Sequence, residues 1–135
     1  MGVAVGEGHS VALTASGTLW AWGYNAEYEL GDGNTTGSTI PVRVLNLSNV
    51  SDVAVGQEST NVAVKSDGSV WTWGSNFYGQ LGDGGPVYAY APTPEQVPGL
   101  TGVTAVAAGD GFDVALKADG SVWTWGNNTS TGFPK

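Results

Sequence analysis

Residues 56–74 read GQESTNVAVKSDGSVWTWG, and the chain says nearly the same thing twice more, as GEGHSVALTASGTLWAWG over residues 6–23 and GDGFDVALKADGSVWTWG over residues 109–126. The second tryptophan of each block, Trp22, Trp73 and Trp125, recurs after 51 and then 52 residues. A period this long marks an array of supersecondary units, each unable to bury its apolar faces alone.

Each block is a strand, a Ser-Gly or Asp-Gly turn and a second strand, which is a hairpin signature. Residues 10–14, 61–65 and 113–117 precede the turn; residues 18–22, 69–73 and 121–125 follow it. Strand alternation puts Trp20 and Trp22 on one face and Leu19 and Ala21 on the other, so both faces are apolar. A short strand precedes each hairpin (Val3-Ala4-Val5, Val53-Ala54-Val55, Val106-Ala107-Ala108). A weaker one follows at 41–45 and 94–97, each opening on proline as an outer edge allows.

Antiparallel meanders buried on both faces and repeated every ~50 residues are propeller blades. The expected fold is therefore all-β, an incomplete set of about three four-stranded β-propeller blades in a single segment, 1–135. Repeat 1 spans 3–52, repeat 2 spans 53–105, and repeat 3 spans 106–135 and lacks its outer strand. A β-sandwich would not reuse its strands with this sequence identity.

Composition supports the same reading. Glycine supplies 22 of the 135 residues, suiting tight turns that need positive φ. Hydrophobic residues make up 41% and six are tryptophan, enough for a core and against disorder. The formal net charge is −8, with Arg43, Lys65, Lys117 and Lys135 as the only Lys and Arg. Acidic surfaces repel phosphate backbones and anionic lipid, so neither nucleic acid nor membrane is an expected partner. There is no cysteine, hence no disulfide framework and no thiolate zinc site. The start, MGVAVGEG, runs straight into the first repeat, so no signal peptide is expected; a cytoplasmic chain and a mature or excised segment both fit.

The motif Val-Ala-x-Gly, then Ala-Leu, then Asp-Gly-x-x-Trp-x-Trp-Gly-x-Asn-x-x-Gly-Gln-Leu-Gly-Asp-Gly resembles the regulator of chromosome condensation repeat. Unit two carries it best, through Trp71-Thr72-Trp73-Gly74-Ser75-Asn76 and Gly79-Gln80-Leu81-Gly82-Asp83-Gly84. Unit one departs, with Tyr28 and Glu29 where Gly-Gln is expected, and unit three reads Asn128-Thr129-Ser130-Thr131-Gly132 instead. The resemblance covers essentially the whole chain and implies a propeller, usually of seven blades. It also implies a protein-binding role: members include an exchange factor that engages chromatin and an inhibitor of a hydrolase. The exchange-factor loops are not matched residue by residue here, and a basic tail is missing.

Candidate chemistry is sparse. The tryptophans Trp20, Trp22, Trp71, Trp73, Trp123 and Trp125 could stack on sugars, but their recurrence on a buried strand assigns them to the inter-blade core. His9 stands alone, with Ser59 or Thr60 and Phe112 as counterparts, and no nucleophile is spaced for a triad. Leu30-Gly31-Asp32-Gly33 and Leu81-Gly82-Asp83-Gly84 lack the alternating carboxylates of a calcium loop and the lysine of a phosphate loop, so they read as turns. Glu27 and Glu29 are the one close carboxylate pair, and unit two has Tyr78 and Gln80 there, against a glycosidase. The Asn sequons at 34, 46, 49, 127 and 128 arise readily in an Asn/Ser/Thr-rich chain. No catalytic residue, metal site or cofactor is expected.

Topology and charge together point to one surface. In a meander, the first and third loops of every blade emerge on the same propeller face. Those loops carry Glu7, Glu27, Glu29, Asp32, Glu58, Asp83, Asp110 and Asp113, eight of the twelve acids, and no Lys or Arg except Lys135. They also hold Tyr24, Tyr28, Phe77, Tyr78, Tyr88, Tyr90 and Phe112. On the other face Lys65 and Lys117 balance Asp67 and Asp119. Aromatics among carboxylates suit recognition of a basic protein by charge steering and cation–π contact. The expected binding residues are Glu27, Tyr28, Glu29, Asp32, Phe77, Tyr78, Asp83, Tyr88, Tyr90 and Asp110. The expected function is a non-enzymatic protein-binding scaffold whose end blades meet the remaining blades of a parent chain or further copies. A carbohydrate-binding propeller and a structural repeat cassette are the alternatives.

Overall fold

The three blocks fold as antiparallel meanders in the computed structural model, which describes residues 1–127. The first sheet runs β1 (Gly2–Val5), β2 (His9–Leu13), β3 (Leu19–Gly23), β4 (Ser38–Arg43) in spatial as in chain order. The second repeats this with β5 (Val50–Val55), β6 (Thr60–Lys65), β7 (Val70–Ser75) and β8 (Tyr90–Gln96). The third holds β9 (Val103–Ala108), β10 (Phe112–Lys117) and β11 (Val122–Gly126). The expectations on residues 128–132 and Lys135 fall outside the described residues.

The sheets stack side by side as blades: β5 packs on β1 and β2, and β9 packs on β5 and β6. Each junction has its own core. Val11, Leu13, Leu19, Leu30 and Val44 of the first blade meet Ala63 and Trp73 of the second, with Trp71 packed alongside. Val62, Val64, Val70 and Val97 of the second blade meet Val103 and Ala115 of the third, with Trp125 alongside. Alternation thus sends Val62 and Val64 one way and Ala63 the other, which is why both faces of β6 are buried.

Proline placement departs from expectation. Pro41 lies inside β4, and Pro92 and Pro94 lie inside β8, rather than at their starts. All three sit where the pairing with the Trp-bearing strand slips register, between Ala21 and Gly23 and between Thr72 and Gly74. A bulge on an edge strand needs no ladder donor, so proline costs nothing there.

Candidate functional site

The long loops after β3 and β7 are wound around a buried asparagine. Asn25 Oδ1 accepts from Leu30 N at 2.9 Å, and its Nδ2 donates to the Asn34 and Thr36 carbonyls at 2.8 and 3.0 Å. Asn76 accepts from Leu81 N at 3.0 Å and donates to the Pro86 carbonyl at 2.9 Å. These residues were missed as organisers, although their recurrence after Trp-Gly was the available signal.

Each loop then presents a backbone carbonyl to the next blade's tryptophan. Trp73 Nε1 donates to Glu29 O at 3.0 Å, and Trp125 Nε1 donates to Gln80 O at 2.7 Å. The indoles lie flush on Gly31 and Gly82, where a Cβ would come within 2.9 Å of the ring and where φ is +64° and +65°. Only glycine meets both conditions, and this accounts for the recurring Leu-Gly-Asp-Gly. Trp73 is fully buried; Trp20, Trp22, Trp71 and Trp125 are half-buried, and Trp123, on the same strand face as Trp125, is 52% exposed.

At the first junction, Asn61 Nδ2 donates to Glu29 O at 3.0 Å and His9 Nε2 lies 2.8 Å from Asn61 Oδ1. With the Asn61 amide nitrogen committed to a carbonyl, its oxygen is the acceptor and His9 carries its proton on Nε2. Burial pulls His9 below its ordinary pKa, against the opposing pull of Asn61 and the charge of Glu29. The Glu29 side chain is buried, which corrects its expected place on the exposed face. Its Oε2 accepts from Glu27 N at 2.8 Å, and Oε1 has no hydrogen-bond partner among the described residues. A cleft of about 250 Å³ opens here, lined by Glu7, Gly8, His9, Tyr24, Glu29, Gln57 and Ser59.

At the second junction Gln80 stands in the place of Glu29, its Oε1 accepting from Tyr78 N at 2.7 Å and its Nε2 left without a partner among the described residues. Asp113 stands in the place of Asn61: both lie opposite the second tryptophan of their blade. Asp113 is buried, not on the loop face where its sequence position suggested, and neither carboxyl oxygen has a hydrogen-bond partner among the described residues. Burial pushes its carboxyl well above the usual range, and the neighbouring Trp125 indole offsets this only in part because its N–H is spent on Gln80 O.

On the loop face, Tyr28, Phe77, Tyr88 and Tyr90 come together across the first two blades. Ring centroids are 5.7 Å apart for Tyr28–Tyr90 and 5.8 Å for both Phe77–Tyr88 and Phe77–Tyr90. Tyr78 is apart from them, its ring so close over Gly111 that a Cβ there would meet Cδ2 at 2.8 Å. Asp32 and Asp83 are half-buried and brace turns, accepting from Asn34 N and Gly85 N respectively. Glu27 is half-buried and Asp110 exposed. Partial burial and the Asp110 carboxylate beside it, with Glu27 and Glu7 further off, hold Glu58 above the ordinary glutamate range. On the opposite face, Lys65 and Lys117 each stand 5.3 Å over Trp71 and Trp123. The serines that accept from those indoles also lower Asp67 and Asp119 by hydrogen bonding. Among the described residues, no group of three or more His, Asp or Glu is placed to hold a metal ion.

Family profiles described as the regulator of chromosome condensation (RCC1) repeat match residues 16–63 and 67–116, and a second of the same description matches 2–29, 50–80 and 103–130. The chain is 38% identical over 129 residues to the human E3 ubiquitin-protein ligase HERC2, covering 92% of this chain and 3% of that protein. It is 32% identical over 128 residues to the ultraviolet-B receptor UVR8 of Arabidopsis thaliana, covering 93% of this chain and 29% of the receptor. Among solved structures it is similar to Prp20p from Saccharomyces cerevisiae, with a TM-score of 0.82, 25% identity and coverage of 99% and 32% of the two chains. Human WBSCR16 gives the same TM-score and identity over 93% and 32%. The chain therefore spans less than a third of the length of these relatives.

Proposed function

The chain belongs to the regulator of chromosome condensation (RCC1) repeat family, and on that premise we propose that it is a non-enzymatic protein-binding module whose acidic, aromatic loop face captures a basic partner. Repeats of this type form propellers that serve as protein-interaction or regulatory modules, and the Prp20p structure was described together with that protein's binding to Gsp1p and histones. One observation carries the reading: Glu58, Asp110, Glu27 and Glu7 gather on one face, where partial burial and then the neighbouring carboxylates hold Glu58 above the ordinary glutamate range, while the lysines of the second and third blades lie against Trp71 and Trp123 on the far face. Such one-sided negative potential steers and orients basic surfaces.

The aromatic chain beside it favours a protein over a sugar. Its rings pack edge and tilt against one another in a single cluster, and do not form the matching aromatic pocket in each blade that a sugar-binding propeller would reuse. At the outward side of the third blade Leu116 and Val122 are 43% and 62% exposed. Their counterparts in the second blade are covered by a neighbour, which supports a further repeat or another copy packing there.

The test uses a lysine-rich histone and the full chain. Binding should weaken steeply between 50 and 300 mM salt, over which the Debye length falls from about 14 Å to about 6 Å. Joint neutralisation by E27Q, D32N, D83N and D110N should abolish it, since Asn keeps the turn-bracing oxygen. Equal affinity of the quadruple variant would sink the acidic-face reading.

A further inference from the structure

Unit one breaks the repeat pattern at two adjacent residues, and both breaks carry a cost. Tyr28 occupies the position of Gly79 and adopts φ 63°, against 81° for the glycine. A non-glycine residue there is strained. Glu29 occupies the position of Gln80, is fully buried, and leaves Oε1 without a partner among the described residues. An unsatisfied buried acceptor is costly, and a charged one more so.

Both breaks fall beside the open cleft, and a third substitution keeps it open. In the second blade Tyr78 covers Gly111 of the following loop. The first blade has Glu27 at that position, close enough to raise the neighbouring Glu58 by its charge. His9 does not answer the free oxygen: its protonated nitrogen is turned to Asn61, and burial disfavours the second proton that would make it a cation. Where the second junction ends in an unpartnered donor, Gln80 Nε2, the first ends in an unpartnered carboxyl oxygen among the described residues, buried behind the lining of a cleft to which Glu29, Glu7 and the half-exposed Tyr24 contribute. An acceptor, a second carboxylate and an aromatic wall make a receptor for a cation with N–H donors.

We propose that this cleft receives the cationic head of a single arginine or lysine side chain from a protein partner, with Glu29 Oε1 as its buried acceptor and Glu7 and Tyr24 as its walls. The proposal rests on the acidic-face reading and names the residue class that the face would anchor. A volume of about 250 Å³ admits a guanidinium or ammonium and the end of its stem.

The test titrates the full chain with three capped pentapeptides, Gly-Gly-X-Gly-Gly, where X is arginine, lysine or the neutral isostere citrulline. NMR reads the His9 ring protons and the Trp73 indole N–H, which report on the cleft, and the Tyr88 and Tyr90 rings, which report on the outer face. The arginine and lysine peptides should shift His9 and Trp73 saturably, and citrulline should not. Glu29→Gln should weaken the arginine peptide by about tenfold or more, as loss of a buried charge partner does. That variant copies the arrangement of Gln80, so its fold is expected to hold, and unchanged Tyr88 and Tyr90 signals would verify it. Equal binding by Glu29→Gln, or by citrulline, would overturn the proposal. Shifts confined to Tyr88 and Tyr90 would overturn it while leaving the acidic-face reading intact, and loss of histone binding in the quadruple variant tests that reading separately.

Discussion

The two blade junctions are built alike and finished differently. In both, a tryptophan lies flush on a glycine and donates to a backbone carbonyl of the preceding blade, at 3.0 Å in the first and 2.7 Å in the second. The side chains around that tie diverge: His9, Asn61 and Glu29 surround the first, while Asp113 and Gln80 flank the second, and Thr60, at the position of His9, bonds within its own blade to Glu58 O and Ser75 O. Ties made to backbone tolerate change in the residue that offers the carbonyl. Polar side chains beside them are free to drift, and drift there leaves buried charge.

The largest expected effect breaks what the junctions share. Trp73→Ala should cost about 3–5 kcal/mol in urea unfolding, because it opens a cavity and strips the Glu29 carbonyl of one of its two donors, leaving only Asn61. Trp22→Ala, at a half-buried ring with no preceding blade among the described residues, should cost far less. Equal losses at the two positions would contradict an inter-blade role for Trp73.

Asp113→Asn should come next, and should stabilise. The Asp113 carboxyl titrates well above its ordinary value in the fold. Its favourable contribution is therefore complete below the unfolded value near 3.8 and is lost as pH rises towards the native pKa. Asparagine recreates the first junction's arrangement, so Tm at pH 7 should rise by about 5 °C, with little gain at pH 3. Calorimetry across that range reads both.

The first junction should respond in the opposite sense. His9 titrates below 6.5 in the fold, so its contribution is full above pH 6.5 and is lost as pH falls through the native pKa. Acidification from pH 7 to 5 should loosen the first junction while relieving the second. Hydrogen exchange at the Trp73 and Trp125 indoles would separate them. Glu29→Gln should lower the His9 pKa further, since Glu29's charge raises it; an upward shift by NMR titration would show the two groups are not in electrostatic contact.

Tyr28→Gly should have the smallest effect. Relief of the positive φ and loss of the Tyr90 ring contact are each about 1 kcal/mol and opposed. A net change beyond about 1 kcal/mol would mean that one of them has been misjudged.

The fold was legible because periodicity is a local signal with long-range meaning. Trp71-Thr72-Trp73 alternates, so its strand must be covered on both sides, and the 51-residue recurrence says by what. The site was half legible. Acidic and aromatic loops were readable from topology, and Tyr28, Phe77, Tyr88 and Tyr90 do meet. Glu29 and Asp113 were not readable as buried, because a glutamate in a glycine-rich loop and an aspartate at a strand start look solvated in one dimension. The prolines misled by one step: an edge strand was inferred rightly, but a bulge is invisible until its partner strand is paired.

By itself, the sequence determined the strands, the turns, the repeat and the sign of the charge, since these follow from side-chain alternation, backbone preference and composition. Tertiary structure alone decided which polar groups lose their water. Burial at a junction depends on what the neighbouring blade lays over a residue: Trp73, which ties to the Glu29 carbonyl, lies 44 residues on, and the Gln80 loop that meets Trp125 opposite Asp113 lies in the preceding blade.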